Sequence, residues 1–241
     1  MNYFGDKSLY LIVSYFQYKS IIDKTVLYNL TYGVYIVGVA DGAHYPAGCV
    51  IDTCFQVTAD NPSVAISLNK NNYTMEVLRR NPVFSLSIVV EDTGADVIGQ
   101  FGYHSSRDVD KFAPFGYEVL DGAPLVNGKF AGRLILNVNQ IIDCSTHCLV
   151  VAYVTDTVAG EGKPMTYGYY TSVIKGKSPK NAPTYRGDDA SRAEAEAGPA
   201  QNRHRYRCDI CGYEVEFNGD VPDDYVCPLC LADASHFVKI D

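Results

Sequence analysis

Four cysteines in two pairs near the C-terminus constrain this chain more than any other feature. The pairs are Cys208-Asp-Ile-Cys211 and Cys227-Pro-Leu-Cys230, and fifteen residues separate them. Each Cys-x-x-Cys places two sulfurs on one tight turn, and two facing turns supply four ligands to one tetrahedral ion. The pattern therefore predicts a metal site at Cys208, Cys211, Cys227 and Cys230. Zinc and iron both accept four thiolates, so the spacing leaves the metal open.

The residues around the cysteines bear on the choice of metal. Gly212 allows the positive φ that turns backbone N–H groups toward sulfur, where they stabilise thiolates and tune a redox metal. Together with Tyr213, Val221-Pro-Asp-Asp-Tyr-Val-Cys-Pro-x-Cys230 and Phe237, residues 204–241 resemble rubredoxin. That resemblance implies one iron that passes single electrons. Leu231 stands where a glycine usually follows the fourth cysteine, so we expect one backbone–sulfur hydrogen bond to be altered. A structural zinc ribbon is the alternative.

Composition and charge limit the compartment and the partners. At 241 residues and 47% hydrophobic content, the chain suits one ordinary domain and one small domain. It has no apolar run of ~18 residues and no signal-peptide pattern, so we expect a cytoplasmic protein that binds no membrane and keeps its thiols reduced. A net charge of −8 argues against nucleic acid. From residue 204 onward the chain has eight acidic and three basic residues. This net charge of −5 fits a partner with a basic docking patch and, equally, a solvated acidic surface.

Many short β-prone segments before residue 170 predict a mainly β fold, a closed or nearly closed barrel. Asp108–Phe112 looks helical, and Thr166–Tyr170 looks like a further strand. No Gly-x-Gly-x-x-Gly follows a strand, so a Rossmann dinucleotide site is unsupported, and no nucleophile–base pairing marks a catalytic residue. The predicted domains are an N-terminal extension (1–20), the barrel (21–177), a linker rich in Pro, Ala and Glu (178–202), and the metal module (203–241).

Five segments of the barrel region resemble the flavin reductase family, whose fold is a split β-barrel that binds FMN. The segments are Leu30-Thr-Tyr-Gly-Val-Tyr, Cys49-Val-Ile-Asp-Thr-Cys-Phe-Gln-Val-Thr58, Leu68-Asn-Lys-Asn-Asn-Tyr-Thr74, Phe101-Gly-x-x-Ser-x-Arg-Asp-Val-Asp-Lys-Phe112 and residues 165–177. Such a domain followed by rubredoxin is the layout of the high-molecular-weight rubredoxins of anaerobes. The resemblance also implies a homodimer.

Residue chemistry and the resemblance together give candidate FMN contacts. Asn69, Lys70 and Thr74 offer an amide, a cation and a hydroxyl to the phosphate, and Thr74 opens a helix whose N–H groups favour anions. Lys111 fits the flavin site or, equally, a surface position. His147 is interpreted as a packed histidine near the flavin or the dimer interface rather than as part of a Cys-x-x-His-Cys metal site. The full predicted set is Tyr32, Asp52, Thr53, Cys54, Asn69, Lys70, Thr74, Lys111, Phe112, His147 and Tyr169.

Three functions are consistent with these features. The first is electron transfer from NAD(P)H, directly or through an NAD(P)H-dependent reductase, through FMN to iron and on to a redox partner. The resemblance implies a flavodiiron protein that removes oxygen or nitric oxide as that partner. The second is a free flavin or ferric reductase with an accessory metal module. The third is a binding protein, in which a zinc ribbon tethers a flavin-binding barrel to a partner.

Overall fold

The computed structural model describes residues 23–42, 44–174, 176, 182–185, 204–217 and 219–240. The chain divides into two compact units, residues 1–31 and 32–241. In the first unit a 3-10 helix spans Lys24–Asn29, and Asp23 caps it by accepting a hydrogen bond of 2.9 Å from the backbone N of Thr25. The predicted N-terminal extension and most of the predicted linker lie outside the described residues.

The second unit is mainly β. Its first nine strands are β1 Tyr35–Val39, β2 Ala47–Ile51, β3 Cys54–Thr58, β4 Ser63–Asn69, β5 Val83–Val89, β6 Tyr117–Leu120, β7 Ala123–Val126, β8 Phe130–Cys144 and β9 His147–Ala159. Its helices are α1 Tyr73–Arg80, α2 Ala95–Tyr103 and α3 Tyr167–Ser172. Across the part of the chain that the structure describes, no helix is long and apolar enough to cross a bilayer.

Seven of these strands form one antiparallel sheet in the order β2-β1-β5-β8-β9-β4-β3. The two edge strands, β2 and β3, are almost continuous in sequence, since Asp52 and Thr53 alone lie between them. One short segment can supply both edges only if the sheet curls until its edges meet. The backbone N of Ser67 donates to the carbonyl of Thr53 at this junction (3.4 Å). The predicted mainly β barrel is confirmed.

Both faces of strand β1 are buried, which explains its continuous apolar sequence. Because successive side chains of a strand point to opposite faces, Val37 and Val39 join one core cluster and Ile36 joins another. Helix α1 covers the first cluster with Met75, Val77 and Leu78. Helix α2 covers the second cluster with Val97, Ile98 and Phe101. The core therefore lies on both sides of the sheet, under one helix on each side.

Two predicted elements are wrong. Asp108–Phe112 forms turns rather than a helix, because Asp110 Oδ1 accepts hydrogen bonds from the backbone N of Phe112 (2.9 Å) and of Ala113 (3.1 Å). Thr166–Tyr170 is not a strand. Thr166 makes one isolated bridge to Gly33 and then caps α3 by accepting a hydrogen bond of 3.0 Å from the backbone N of Tyr169.

The metal module is a small three-stranded sheet. Its strands are β10 His204–Cys208, β11 Glu214–Phe217 and β12 Phe237–Lys239, in the order β11-β10-β12, and a 3-10 helix spans Ala234–His236. Aromatic rings fill its interior, with Tyr225 in edge-to-face contact with Phe217 (centroids 4.9 Å apart) and with Phe237 (5.2 Å). This aromatic core supports the loops that carry the cysteines.

Candidate metal and cofactor sites

The four predicted metal ligands converge. The sulfurs of Cys208, Cys211, Cys227 and Cys230 all lie within 4.8 Å of one another, and all four residues are buried. Two sulfur–sulfur separations are 3.4 Å (Cys211 to Cys227) and 3.6 Å (Cys208 to Cys230). A tetrahedral ion with metal–sulfur bonds of about 2.3 Å requires separations of about 3.8 Å, so the four thiols are arranged to hold one ion.

The two Cys-x-x-Cys loops repeat the same hydrogen-bond pattern, and we call them the first knuckle (residues 208–213) and the second knuckle (residues 227–232). In the first, Gly212 N donates to Cys208 O (2.8 Å) and Cys208 N donates to Tyr213 O (2.8 Å). In the second, Leu231 N donates to Cys227 O (2.9 Å) and Cys227 N donates to Ala232 O (2.8 Å). Each loop is therefore closed by two hydrogen bonds of its own backbone.

Backbone N–H groups point at the sulfurs, as the sequence predicted for Gly212. Gly212 has a φ of 76°. Hydrogen bonds with Cys227 and Cys230 raise the pKa of Cys211, and the backbone N–H of Tyr213 acts in the opposite direction. Leu231 adopts a φ of 62°, the left-handed conformation, despite its steric cost. The matching backbone N–H of Ala232 acts to lower the pKa of Cys230, although the neighbouring thiols raise it overall.

Hydrogen bonds among the thiols favour the thiolate form of Cys227. A hydrogen bond from Cys211, followed by one from Cys230, lowers the pKa of Cys227 to about 2. The same exchange raises the pKa of Cys211, because that thiol is the donor. Thiolates are the form that binds a metal, so the site is disposed to hold a cation.

A first group of predicted FMN contacts lies together at the end of β4. Asn69 pairs in register with His147 of β9, and Asn69 Oδ1 accepts a hydrogen bond of 2.9 Å from the backbone N of Asn71. Lys70 Nζ lies 2.5 Å from Asp143 Oδ2. Thr74 is buried in the first turn of α1. An amide, a cation paired with a carboxylate, and the first turn of a helix therefore lie within six consecutive residues of the chain.

A second group of predicted contacts surrounds the junction of β2 and β3. Asp52 is buried and accepts hydrogen bonds from the hydroxyls of Thr53 (2.8 Å) and Thr184. Burial and, secondarily, the charge of Asp52 raise the pKa of Tyr32. Burial raises the pKa of Cys54 to about 11, so this thiol stays protonated. A carboxylate, a hydroxyl and a neutral thiol therefore line the junction.

Comparison with known proteins places the barrel in a family. The model of the flavin reductase like domain matches residues 27–177. The chain belongs to the flavin reductase-like family. It is 35% identical to a high molecular weight rubredoxin of Moorella thermoacetica over 91% of this chain and the whole of the relative. It is 30% identical to a ferric-chelate reductase (NAD(P)H) of Archaeoglobus fulgidus over 68% of this chain and 98% of the relative.

The fold comparison agrees with the family. An NADH:FAD oxidoreductase of Streptomyces globisporus C-1027 superposes with a TM-score of 0.53 at 22% identity, covering 61% of this chain and 90% of that structure. The family and the four-cysteine site support FMN and iron as cofactors and an oxidoreductase that transfers electrons between a flavin and a rubredoxin-like centre.

Two predicted contacts lie in the interior of the flavin reductase-like domain. Lys111 is buried, and its Nζ donates to the carbonyls of Gly48 (2.9 Å) and Phe101 (3.0 Å). A surface position for Lys111 is therefore wrong. Phe112 is also buried and packs edge-to-face on Phe101 (centroids 4.9 Å apart). These two side chains hold β2 and α2 together.

The remaining predicted contacts lie elsewhere in the domain. Tyr169 belongs to α3, next to Tyr167, whose ring is in edge-to-face contact with Tyr32 (centroids 6.3 Å apart). His147 Nδ1 lies 2.9 Å from the hydroxyl of Thr146. Within the described residues, His147 and its neighbouring cysteines do not form a metal-binding group.

Sequence reasoning missed Thr184. It lies 132 residues from Asp52, within the segment predicted to be a linker, yet its hydroxyl bonds the Asp52 carboxylate at the junction of the sheet edges. A threonine among Pro, Asn and Ala residues carries no periodic or motif signal, so only the fold reveals this contact.

Proposed function

We propose that this chain is an electron-transfer flavoprotein that takes electrons from NAD(P)H, directly or through a reductase, and delivers them through an Fe(Cys)4 centre to a redox partner. One observation carries the proposal: four buried thiols able to hold one ion pack within the same compact unit as a flavin reductase-like barrel. The similarity to a high molecular weight rubredoxin along 91% of the chain supports it.

FMN, when bound, would supply the conversion of a two-electron hydride donor into single electrons. Its phosphate would bind at Asn69, Lys70 and Thr74, where the N-terminus of α1 adds backbone donors. The ion pair between Lys70 and Asp143 is partly exposed, so the exchange of this partner for a phosphate costs little. The ring edge would lie near the junction of β2 and β3. The other proposed contacts are Tyr32, Asp52, Thr53, Cys54, Lys111, Phe112, His147 and Tyr169.

Iron, when bound by the four thiolates, would supply a one-electron centre. The N–H donors at Cys211 and Cys230 favour such a centre, because hydrogen bonds to sulfur stabilise the more negative reduced state. We propose a flavodiiron protein that reduces oxygen or nitric oxide as the acceptor, in the cytoplasm, where thiols stay reduced. The net charge of −5 on the metal module favours a basic docking surface on that acceptor.

A homodimer completes the proposal. Exposed apolar side chains cluster on edge strand β3 and the neighbouring hairpin, where Phe55 is 53% and Val57 is 47% exposed and Tyr153 lines the same cleft as Val57. Side chains of this kind are buried more often than exposed, and a patch of them supports an interface between two copies. Split-barrel flavin proteins commonly form their cofactor site at such an interface.

The similarity to a ferric-chelate reductase favours a second candidate function. In it the barrel alone would reduce free flavin or ferric chelates, and the metal module would be accessory. Reduction of a ferric chelate at the same rate by the wild type and by a variant without module iron would favour this candidate.

An anaerobic visible spectrum with metal analysis tests the proposal. We expect flavin bands together with ferric–thiolate absorbance and one iron per chain, with both signals bleaching after NADH is added. Bleaching that requires a separate reductase would make the chain an intermediate carrier. One zinc per chain and no ferric–thiolate absorbance would refute the electron-transfer function and favour the zinc-ribbon binding protein.

A further inference from the structure

Helix α2 of the barrel lies directly against the second knuckle. A Cβ built on Gly99 would lie 1.1 Å from the carbonyl O of Leu229 and 3.1 Å from the backbone N of Cys230. No side chain fits there, so the glycine permits the backbone of α2 to approach the knuckle. A glycine inside a helix lowers stability by about 1 kcal/mol relative to alanine. The close approach of the knuckle explains why a glycine stands at this position.

Three further contacts fix the same orientation. His104, which follows α2, places Nε2 3.0 Å from the carbonyl O of Cys230, and since a carbonyl can only accept, Nε2 carries the proton. Ala95 and Tyr103 of α2 pack against the hydrophobic core of the metal module. We call the surface formed by Ala95, Gly99, Tyr103 and His104 the α2 seat.

The α2 seat is joined to the proposed flavin site by tyrosines. The hydroxyl of Tyr103 lies 3.3 Å from that of Tyr170, and Tyr170 contacts Tyr167 (ring centroids 6.4 Å apart). Tyr167 in turn contacts Tyr32, a proposed FMN contact. Burial raises the pKa of Tyr170 to about 12, against a lowering by its hydrogen bond with Tyr103. Tyr103 in turn packs against the cluster of buried residues that contains the four cysteines. A continuous packed path therefore runs from barrel to metal.

The two knuckles differ sharply in exposure. Leu229 and Ile210 hold the same third position of their Cys-x-x-Cys loops, but Leu229 is 1% exposed in the cluster beside the α2 seat, whereas Ile210 is 41% exposed. Next to Ile210 stands Asp209, which pairs with His236 (3.0 Å). The first knuckle thus offers a small apolar surface with acidic surroundings.

We propose that the metal receives electrons through the second knuckle, which the α2 seat holds in place, and that the outside acceptor contacts Ile210 of the first knuckle. The inference rests on the proposed function. One electron from the reduced flavin of the barrel converts ferric to ferrous iron, and one electron leaves when the acceptor is reduced and the iron returns to ferric. The acceptor is a one-electron redox protein with a basic surface around an apolar centre.

Hydroxyl-radical labelling of Tyr103 tests the seat without any turnover. In Gly99→Ala the added methyl group must displace the knuckle, so labelling of Tyr103 in the full metal-bound chain should rise above that of the wild type. Gly42→Ala is the matched control, because a Cβ on Gly42 meets nothing within 4 Å. Unchanged labelling in Gly99→Ala would overturn the seat.

Stopped-flow absorbance tests the direction of transfer. Gly99→Ala should slow reduction of the ferric centre by about tenfold or more, since displacements of about 1 Å have large effects on positioned reactions. His104→Ala should also slow it, and His104→Gln, which keeps an N–H donor, should restore part of the rate. Equal rates in Gly99→Ala and wild type would overturn the inference, as would a failure of His104→Gln to restore any rate.

Cytochrome c, a basic one-electron acceptor, probes the first knuckle in chemically reduced protein. Ile210→Lys should slow reduction of cytochrome c by about tenfold and leave the internal step unchanged. Val238→Lys makes the same change of charge at a position of the module that is 54% exposed, and it should have a much smaller effect. Equal effects of the two variants would overturn the assignment. A wild type without iron would refute the proposed function instead, and the labelling of Tyr103 would still decide on the seat.

Discussion

The buried lysine of the barrel makes its stability depend on pH in a calculable way. Lys111 is 2% exposed, and burial lowers its pKa from 10.5 to about 8, while the charge of nearby Cys49 acts in the opposite direction. Between these two pKa values the native state has released a proton that the unfolded state retains. Stability therefore rises with pH in this window, because the unfolded state binds more protons.

The size of the effect follows from the two pKa values. Each pKa unit corresponds to about 1.4 kcal/mol, so the full window is worth about 3 kcal/mol, of which about 2 kcal/mol falls between about pH 7.5 and pH 9.5. In Lys111→Met this contribution disappears. We expect the free energy of unfolding of the wild type, relative to Lys111→Met, to rise by about 2 kcal/mol over that range.

Urea unfolding followed by far-UV circular dichroism is a suitable assay, because the chain contains no tryptophan. Every sample should contain saturating FMN. The control is Lys129→Met, since Lys129 is exposed and its ion pair with Asp92 raises its pKa, which removes any titration from this range. The reasoning is refuted if the difference in free energy of unfolding between the wild type and Lys111→Met stays constant or falls as the pH rises.

Three further predictions concern the metal site and the assembly. Cys227→Ser should lose the iron and its ferric–thiolate absorbance, whereas reduction of the flavin by NADH, seen in the visible spectrum, should continue. Residues 212 and 231 both have positive φ, which favours glycine. Leu231→Gly should therefore stabilise the metal module by about 0.5–1 kcal/mol, and Gly212→Ala should destabilise it by about 1 kcal/mol. Loss of thiolate absorbance on heating measures both changes. Val57→Lys should convert the proposed dimer to a monomer in light scattering, because it charges the exposed patch on β3.

Matched variants separate these effects from general damage. Cys144→Ser removes an exposed thiol outside the metal group, so it should retain the iron. Val119→Lys places the same charge on another exposed strand and should remain dimeric. Each prediction has an outcome that would contradict it. These outcomes are that Cys227→Ser retains iron, that Leu231→Gly is less stable than the wild type, and that Val57→Lys is a dimer.

The metal site was predictable because its signal is local. Two Cys-x-x-Cys loops bring their sulfurs together by short-range backbone geometry, and positive φ at Gly212 follows from the residue type. Leu231 shows the limit of this reasoning. Its left-handed conformation is imposed by the hydrogen bonds that close the second knuckle, which no intrinsic preference of leucine reveals.

The barrel was predictable in class and less so in detail. Thr166–Tyr170 has the composition of a strand, but the hydrogen bond from Tyr169 N to the Thr166 side chain starts a helix there. Intrinsic β-propensity is easily overridden by such contacts. Lys111 is polar, and its burial depends on two carbonyls supplied by β2 and α2, which are distant in sequence. The hairpin of β6 and β7 was overlooked although Asp121-Gly122 is a recognised turn signal.

The segment that supplies both edges of the sheet has a consequence for folding. β2 can pair only after β1 is in place, and β3 only after β4, yet β2 and β3 are two residues apart. Residues 47–58 therefore cannot complete their hydrogen bonds until strands from both ends of the sheet order have assembled. Such non-local closure is slow, so we expect this segment to become ordered late and to limit the folding rate of the barrel. A mutation at Asp52 or Thr53 would then change the rate of folding as well as the proposed FMN site, through one and the same pair of residues.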